Sequence, residues 1–533
     1  MKAYYSILNL LFLLGICHSM AYSQSYNKAF LYENLNTIPI NLLTSDNNLY
    51  LTGYYIDTSI DYGIKMFSSK YDINGNVINA FFYRPTEYVQ FIGSWYYGKS
   101  AKTDLGYMQV GYAEDTGTGN YNLLLCLFDT SGQMTNYFVY PPIFTTNINT
   151  GITCMQSSDK YYYMTGILGI SSSTRPFVLK ADSLGNMVWL KYYPSLSMDF
   201  NAGFSILETD SGHITVAVNS ETQYDPPYSY LLNHKTTVLN LDTAGNVLSF
   251  IADTGTTLFA AISFQKTIDG GYISCGEKLV ERDSAQWYIT KHGVIIKWDS
   301  AFNKVWEKDF YKVDYKYCAS MLYDIKALQD GSYIACGNLG MVIDSFYYGN
   351  NGWLLKIDKE GNEIWSREYR STNYPTIYDY HWLYDLDELP NGDIIAVGEI
   401  GPTGGVVSQQ GWLLRVDSSG CLYDETWCGY TSIEVEHTIP LSKNNELAIF
   451  PNPVVDILTL EIDQLENLKT INTEIEIFDV MGKTMQQNKI INEVSNDKLI
   501  WKVNISQFKT GLYLVRILDI EHKVVATGKF VKE

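Results

Sequence analysis

From about residue 27 to residue 430 the chain alternates short apolar runs with tight polar turns, and the alternation repeats. In its clearest copy an acidic turn leads into a strand that ends in glycine, Asp269-Gly270-Gly271-Tyr272-Ile273-Ser274-Cys275-Gly276. Equivalent segments start at Asp46, Asp104, Asp159, Asp210, Asp330 and Asn391, with Ala217 standing for the closing glycine in the Asp210 copy. Each is followed by an apolar strand, a turn of the form Asp-x-x-Gly-Asn and another strand, as in Trp353–Asp358, Gly361-Asn362 and Ile364-Trp365. The Asp of this turn recurs at 72, 129, 182, 242, 299, 358 and 417, and the copy at Asp299 carries Phe302 in place of the glycine. In the sixth copy the strand-length runs are residues 322–328, 333–337, 353–357 and 363–369, rich in Tyr, Ile, Val and Leu. Four strands per copy with no amphipathic helix between them predict an all-β chain built as a seven-bladed β-propeller. An open ring would leave bare sheet edges, so residues 28–33 are expected to pair with the seventh repeat.

The repeated turn residues have a local explanation. An Asp side chain accepts hydrogen bonds from backbone N–H groups just beyond it, and glycine takes the positive-φ position of a tight hairpin. Each turn offers one carboxylate, whereas calcium asks for six or more oxygens, so no metal site is expected. The turn-plus-Trp pattern, Asp182…Gly185-Asn186…Trp189 and Asp358…Gly361-Asn362…Trp365, resembles the repeats of quinoprotein-like propellers. It is also similar, one residue out of phase, to the Asp-boxes of sialidases. Both resemblances imply a fold and no chemistry; a vicinal Cys-Cys and the sialidase arginine cluster are missing.

The N-terminus reads as a targeting segment. Lys2 precedes an apolar run over residues 7–16, and Ala21-Tyr22-Ser23 puts small residues at the −3 and −1 positions of a cleavage before Gln24. Residues 1–23 are therefore expected to be a signal peptide, the run being too short to span a bilayer. A lipoprotein signal through Cys17 fits less well, because Ile16 is not small. No other stretch is apolar enough to cross a membrane. Of the cysteines beyond the signal, Cys275 and Cys336 hold the same place in two repeats and read as small core residues. Cys421 and Cys428 either bridge a local loop or stay reduced, and no pair has zinc-ligand spacing.

Composition narrows the function. Hydrophobic residues make up 46% of the chain and charged ones 18%, which argues against disorder. The net charge of −20 excludes a nucleic-acid binder, which needs a basic surface. There is no His-Glu-x-x-His, no Gly-x-Ser-x-Gly elbow and no phosphate-binding Gly-rich loop. His292 and His381, read as loop residues, are the only histidines considered for a site. No catalytic residue and no cofactor are predicted, although carboxylates distant in sequence can still converge in space.

The last 88 residues depart from the repeat. They contain Phe450-Pro451-Asn452-Pro453-Val454-Val455-Asp456, then Phe478-Asp479-Val480-Met481-Gly482, then Thr510-Gly511-Leu512-Tyr513, and end in Lys529-Phe530-Val531-Lys532. Alternation in Ile457-Leu458-Thr459-Leu460 and Glu474-Ile475-Glu476-Ile477 predicts half-buried strands of a small immunoglobulin-like β-sandwich. These motifs, in this order, resemble the type A C-terminal sorting domain of the type IX (Por) secretion system of Bacteroidetes. The resemblance implies a chain that reaches the outer cell surface or the medium by way of the periplasm, with the secretion translocon as partner. The residues that carry it are Pro451, Asn452, Pro453, Asp456, Asp479, Gly482, Gly511, Tyr513, Lys529, Phe530 and Lys532, and Gly511 is expected at positive φ. The organisation expected is a signal peptide (1–23), a propeller (24–435), a linker (436–445) and the sorting domain (446–533).

Loop asymmetry suggests where a ligand sits. The turns after the first and third strands of each repeat are short and uniform. The loops after the second strand, and the connections between repeats, vary in length and carry aromatic residues. In a four-stranded blade these two classes leave on one face, which places Tyr228, Trp287, Tyr347, Tyr378 and Trp382 there. Rigid aromatic area with a polar edge suits a glycan or a surface protein. The expected function is a secreted or cell-surface binding protein; an extracellular polysaccharide-active enzyme and a structural or adhesion component are the alternatives.

Overall fold

The computed structural model describes residues 25–422 and 447–533, apart from 31–34, 57–62, 94–97, 142–148, 171–172, 194–199, 210–211, 224–231, 253–258, 284–287, 313–318, 343–347, 372–378, 403–408, 464–471, 480–483, 492, 496–497 and 519–523. The expected signal peptide and linker lie outside the described residues. Every described element is a β-strand, and none is a helix able to cross a membrane. Contacts divide the chain into two compact units, Met1–Gly429 and Tyr430–Glu533.

In the larger unit each repeat folds as an antiparallel sheet whose strands follow chain order. The third is Asn149–Gln156, Tyr162–Ile170, Ser173–Ala181 and Met187–Tyr192, and the fourth and fifth follow the same plan. Single parallel bridges, Lys65 to Phe91 and Asn350 to Tyr380, join the first sheet to the second and the sixth to the seventh. Period-two strands buried on both faces make each sheet stick to two neighbours. Met108, Val110 and Leu125 of the second sheet share a core with Cys154, Met164 and Phe177 of the third. Ile273 and Cys275 of the fifth share one with Leu322, Ile325 and Trp353 of the sixth. Cys275 is a buried free thiol in that core, and Cys336 is one in the core shared by the sixth and seventh sheets. Cys421 is disulfide-bonded, and Cys428 lies outside the described residues. The result is a β-propeller.

The chain start closes the ring. Tyr26–Phe30 adds to the seventh sheet as its outermost strand, antiparallel to Gln410–Val416, with Tyr26 opposite Arg415 and Phe30 opposite Gly411. This overlaps the expected 28–33 at residues 28–30. Asn27 clamps the join, its Oδ1 accepting from Trp412 Nε1 at 2.6 Å and its Nδ2 donating to the Arg370 carbonyl at 2.7 Å. On the inner side, the Leu42 N–H donates to Asp385 Oδ2 at 2.8 Å and Thr44 Oγ1 to Asp387 Oδ2 at 2.6 Å.

Turns and sheets interlock through one recurring contact. In the Asp182 turn, Oδ1 accepts from the N–H groups of Leu184 and Asn186 and Oδ2 from the Asn186 side chain, leaving the carboxylate satisfied within its own turn. Gly185 sits at φ 80°, and a Cβ there would lie 2.3 Å from the ring of Phe138 on the preceding sheet. Trp189, Trp306 and Trp365 cover Gly245, Gly361 and Gly420 in the same way. The exception is instructive. The fourth sheet carries Ser249 where its neighbours carry an aromatic residue, and there Phe302 replaces the turn glycine. Phe302 takes φ 62°, is buried, and stacks on Tyr272 at 4.4 Å.

The glycine that ends the second strand answers a different demand. Each innermost strand has a β-bulge, and the bulge drives a carbonyl toward the facing strand. At Gly398 a Cβ would fall 1.7 Å from the Trp382 carbonyl oxygen. In the fourth sheet Val218, paired with Gly203, holds the equivalent place, so the reading of Ala217 there is corrected by one residue.

The smaller unit has two four-stranded antiparallel sheets. One comprises Ala448–Phe450, Ile457–Asp463, Lys498–Asn504 and Glu493–Ser495; the other Thr484–Ile491, Asn472–Asp479, Gly511–Leu518 and Val524–Lys532. Leu458, Leu460, Ile475, Ile477, Trp501, Val515 and Phe530 form its shared core. Gly511 is not in the left-handed region, and a Cβ would meet nothing closer than 3.8 Å, so the expected positive φ is not found. Its place at a strand start, opposite Lys532, needs no special backbone.

Two substitutions separate these glycines. Gly398→Ala is expected to cost about 1–3 kcal/mol in denaturant unfolding, the range for overpacking a tight site. Gly511→Ala is expected to stay within about 0.5 kcal/mol of the parent, as at ordinary surface positions. Equal midpoints for the two variants would contradict this assignment.

Candidate functional site

The innermost strands meet at the axis of the ring, and their bulges set what lies there. The bulge puts two successive side chains at each inner strand's centre, an apolar one followed by a polar one. The pairs are Ile40-Asn41, Ile152-Thr153, Phe204-Ser205, Ile262-Ser263, Tyr323-Asp324 and Tyr384-Asp385. In the second sheet the inner strand is split into Tyr88–Gly93 and Ala101–Thr103, and Lys99, bridged to Thr153, takes the polar position.

The polar layer is tied across the axis by charge. Lys99 Nζ lies 2.9 Å from Asp385 Oδ1, 3.3 Å from Asp324 Oδ1 and 3.1 Å from the Tyr384 carbonyl. Ser263 Oγ donates to Asp324 Oδ1 at 2.8 Å, and Lys326 stands 3.8 Å from Asp324 Oδ2. Burial opposes ionisation of both carboxyls. At Asp324 the ammonium groups of Lys99 and Lys326 overcome it and hold the pKa below the usual range, while at Asp385 burial dominates and raises it.

Beside it lies an aromatic and aliphatic layer. Ile38, Ile40, Tyr54, Ile92, Tyr112, Ile262, Tyr323 and Tyr384 form one buried cluster drawn from five sheets. Ile64, Tyr121, Met321 and Trp382 pack on it and are half-buried. Trp382 meets Tyr380 at 5.3 Å and Tyr384 at 6.2 Å between ring centroids. Directly opposite Trp382 on the neighbouring strand stands Glu399, fully buried, its Oε1 accepting from the Tyr384 hydroxyl at 2.8 Å. Burial pushes the Glu399 pKa up to about 7.

Of the five residues expected on the ligand face, Trp382 is described; Tyr228, Trp287, Tyr347 and Tyr378 lie outside the described residues. Trp382 belongs to the innermost strand Asp379–Glu388 and not to the loop before it. The two histidines are likewise strand residues, because the strands run on past the repeated core. His292 lies in Tyr288–Trp298, stacked on Tyr311 at 3.8 Å, and burial lowers its pKa. His381 is buried, with Nδ1 3.2 Å from the Asn350 carbonyl. They sit on different sheets and build no common site. The sequence carries one signal for the axis: Leu-Tyr-Asp occurs at 322–324 and again at 383–385.

In the smaller unit the sorting residues divide into anchors and exposed positions. Asn452 Oδ1 accepts from the Val531 N–H at 2.9 Å, and the Val454 N–H donates to the Val531 carbonyl at 2.8 Å, so the Pro451-Asn452-Pro453 segment grips the last strand. Tyr513 stacks on Phe530 at 5.6 Å and donates from its hydroxyl to the Lys509 carbonyl. Phe530 and Lys532 are buried, while Pro451, Pro453, Asp456 and Lys529 are exposed. The Asp479 backbone pairs with Tyr513, and Gly482 lies outside the described residues.

Residues 448–533 match the family described as the secretion system C-terminal sorting domain. No curated protein matches the chain. Among solved structures, PorZ, a surface component of the type IX secretion system of Porphyromonas gingivalis, is 10% identical with a TM-score of 0.31, over 92% of this chain and 70% of its own. The β-propeller domain of the Trilobed protease from Pyrococcus furiosus is 11% identical with a TM-score of 0.40, over 75% and 99%. An ulvan lyase, a polysaccharide lyase, is 10% identical with a TM-score of 0.48, over 73% and 96%. The sorting tail implies export by the type IX route to the cell surface or beyond.

Two outcomes test the axis. Lys99→Met strands two buried carboxyls and is expected to cost about 3–5 kcal/mol, the range for breaking a buried pair; wild-type unfolding of that variant would refute the cross-tie. Glu399 ionises near its ordinary 4.5 when unfolded and near 7 when folded. A raised folded pKa stabilises at low pH, and that contribution is lost as pH rises from about 4.5 through 7. The stability difference between the parent and Glu399→Gln should therefore shift against the parent across that window, as measured by unfolding at several pH values.

Proposed function

We propose that this chain is a ligand-binding propeller, carried out of the cell by its sorting domain and working at the cell surface or released from it. Its ligand, a glycan or a surface protein, sits on the face from which the long loops leave. The observation that carries this reading is Trp382, half-buried beside Tyr380 on a floor of packed aromatic rings near the axis. Strands and tight turns are committed to holding the ring together, so the loop face is where repeats are free to differ. Glycan cleavage by paired carboxyls calls for two such groups free to act across a bond. Asp324 and Asp385 are instead engaged with Lys99 and with neighbouring donors.

The test uses the exported full chain in a screen of glycans and surface proteins. Trp382→Ala is expected to weaken binding by the folded fraction about tenfold, within the range for a central aromatic contact, while the protein still unfolds cooperatively. Trp365→Ala, which removes a buried ring from between two sheets, should lower stability and leave the affinity of the folded fraction unchanged. The reverse pattern would move the site off this face. Removing residues 446–533 should leave a folded propeller in the periplasm; normal secretion of that truncation would refute the sorting assignment.

A further inference from the structure

Glu399 is a buried carboxyl beside the aromatic cluster that the fold leaves half-used; Glu114 Oε2 and Asp324 Oδ2 are likewise without a hydrogen-bond partner among the described residues, but Glu399 alone of the three stands opposite Trp382 in the strand ladder. Its Oε1 takes the Tyr384 hydroxyl, and its Oε2, equally buried, has no hydrogen-bond partner among the described residues. A buried carboxyl oxygen without a donor costs roughly 1–3 kcal/mol and asks for an explanation in the form of a missing partner. It stands opposite Trp382 in the strand ladder, so the unsatisfied acceptor and the half-buried indole occupy neighbouring positions on one sheet.

The surroundings say what such a partner would be. Tyr54, Tyr112, Tyr323 and Tyr384 are buried in the cluster, and the rings left half-buried on it are Trp382 and Tyr121, which offer flat apolar faces. The charged groups nearby favour no anion. On the seventh sheet there is Glu399 itself; on the second, Glu114 adjoins Tyr121 and, after burial, is what raises that hydroxyl's pKa. The cations on the surrounding strands are already held. Lys65 Nζ donates to the Tyr88 and Val89 carbonyls at 2.7 Å each, and Lys99 is bound to Asp324 and Asp385. The whole chain carries −20, which adds a long-range penalty for any polyanion.

Resting on the binding reading above, we infer that the site takes a neutral glycan, with an uncharged sugar ring stacked on Trp382 and one of its hydroxyl groups donating to Oε2 of Glu399. Glu399 is then the residue that sets specificity for hydroxylated, uncharged rings over uronate or sulfated ones. Stacking supplies contact area whatever the ring's substituents, and a carboxyl beside the ring disfavours a carboxylate or sulfate on it by like-charge repulsion.

The experiment measures binding of the full exported chain to two sets of probes: laminarin, mannan and xyloglucan as neutral glycans, and alginate, polygalacturonate and a sulfated galactan as anionic ones. Binding to a neutral member, at least tenfold tighter than to any anionic one, is expected. Glu399→Gln keeps an oxygen for Tyr384 but replaces the second acceptor by an amide donor, and should weaken that binding about tenfold while the protein still unfolds cooperatively. Glu399→Asp, which withdraws the carboxyl by one methylene, should also weaken it. Neutral-glycan binding that is lost in Trp382→Ala yet unchanged in Glu399→Gln would overturn the role of Glu399 and leave the binding face standing. Preference for an anionic glycan would overturn the ligand class. Binding to surface proteins alone, or no binding at all, would overturn both the neutral-glycan inference and the glycan branch of the reading beneath it.

Discussion

A sheet that is apolar on both faces has no stable outer side. Each repeat of this chain makes such a sheet, and every one of them needs a neighbour to its left and to its right. A row of sheets would leave two bare faces at its ends; only a ring removes them. The contact that matters most is therefore the one between the last sheet and the first, where Tyr26, Leu42, Leu49 and Leu51 pack with Leu389, Ile395, Val397 and Leu413. That interface alone is built from both ends of the repeat array, with a borrowed strand holding it.

From the second sheet to the seventh the interfaces share one mechanism with a permitted variation, whereas between the first and second sheets Gly132 faces Lys70. An aromatic side chain at the outer edge of one sheet lies over the turn of the next, and the turn must be bare of Cβ to admit it. Where the fourth sheet gives up its aromatic residue for Ser249, the fifth gives up its glycine and supplies Phe302 from the other side. The space is filled either way, and a non-glycine residue is held at positive φ because its ring is buried. Repeats can thus diverge in sequence while the distance between sheets is kept, provided that both partners of a contact change together.

This explains what could and could not be read in advance. Turns, strand periodicity and repeat number are local properties of ten or so residues, so the all-β repeat architecture and the sorting module were visible in the chain. The pairing of the N-terminal strand with the seventh repeat was expected from the cost of an open edge and appears at residues 28–30. Strand ends were less legible. His292, His381 and Trp382 were read as loop residues because the strands extend beyond the repeated core into segments with no turn signal of their own. The axis was least legible. Lys99 meets Asp385 from 286 residues away, and Glu399 matters through a neighbour that a linear reading does not reveal. The Gly511 expectation failed for a simpler reason: a glycine at a strand start in this sandwich has open space around it and ordinary backbone angles.

The borrowed strand also makes the propeller a test of its own completeness. Asn27 meets Trp412 across 385 positions of chain, so this strand must wait, unpaired, for nearly the last of the repeats. Loop closure over that distance is slow relative to the hairpins within each sheet. A chain that stops short, or that has lost a repeat and with it the curvature of the ring, has hairpins but no fastening, and offers proteases an open edge and two bare faces. Compactness is thereby reserved for copies in which every repeat is present.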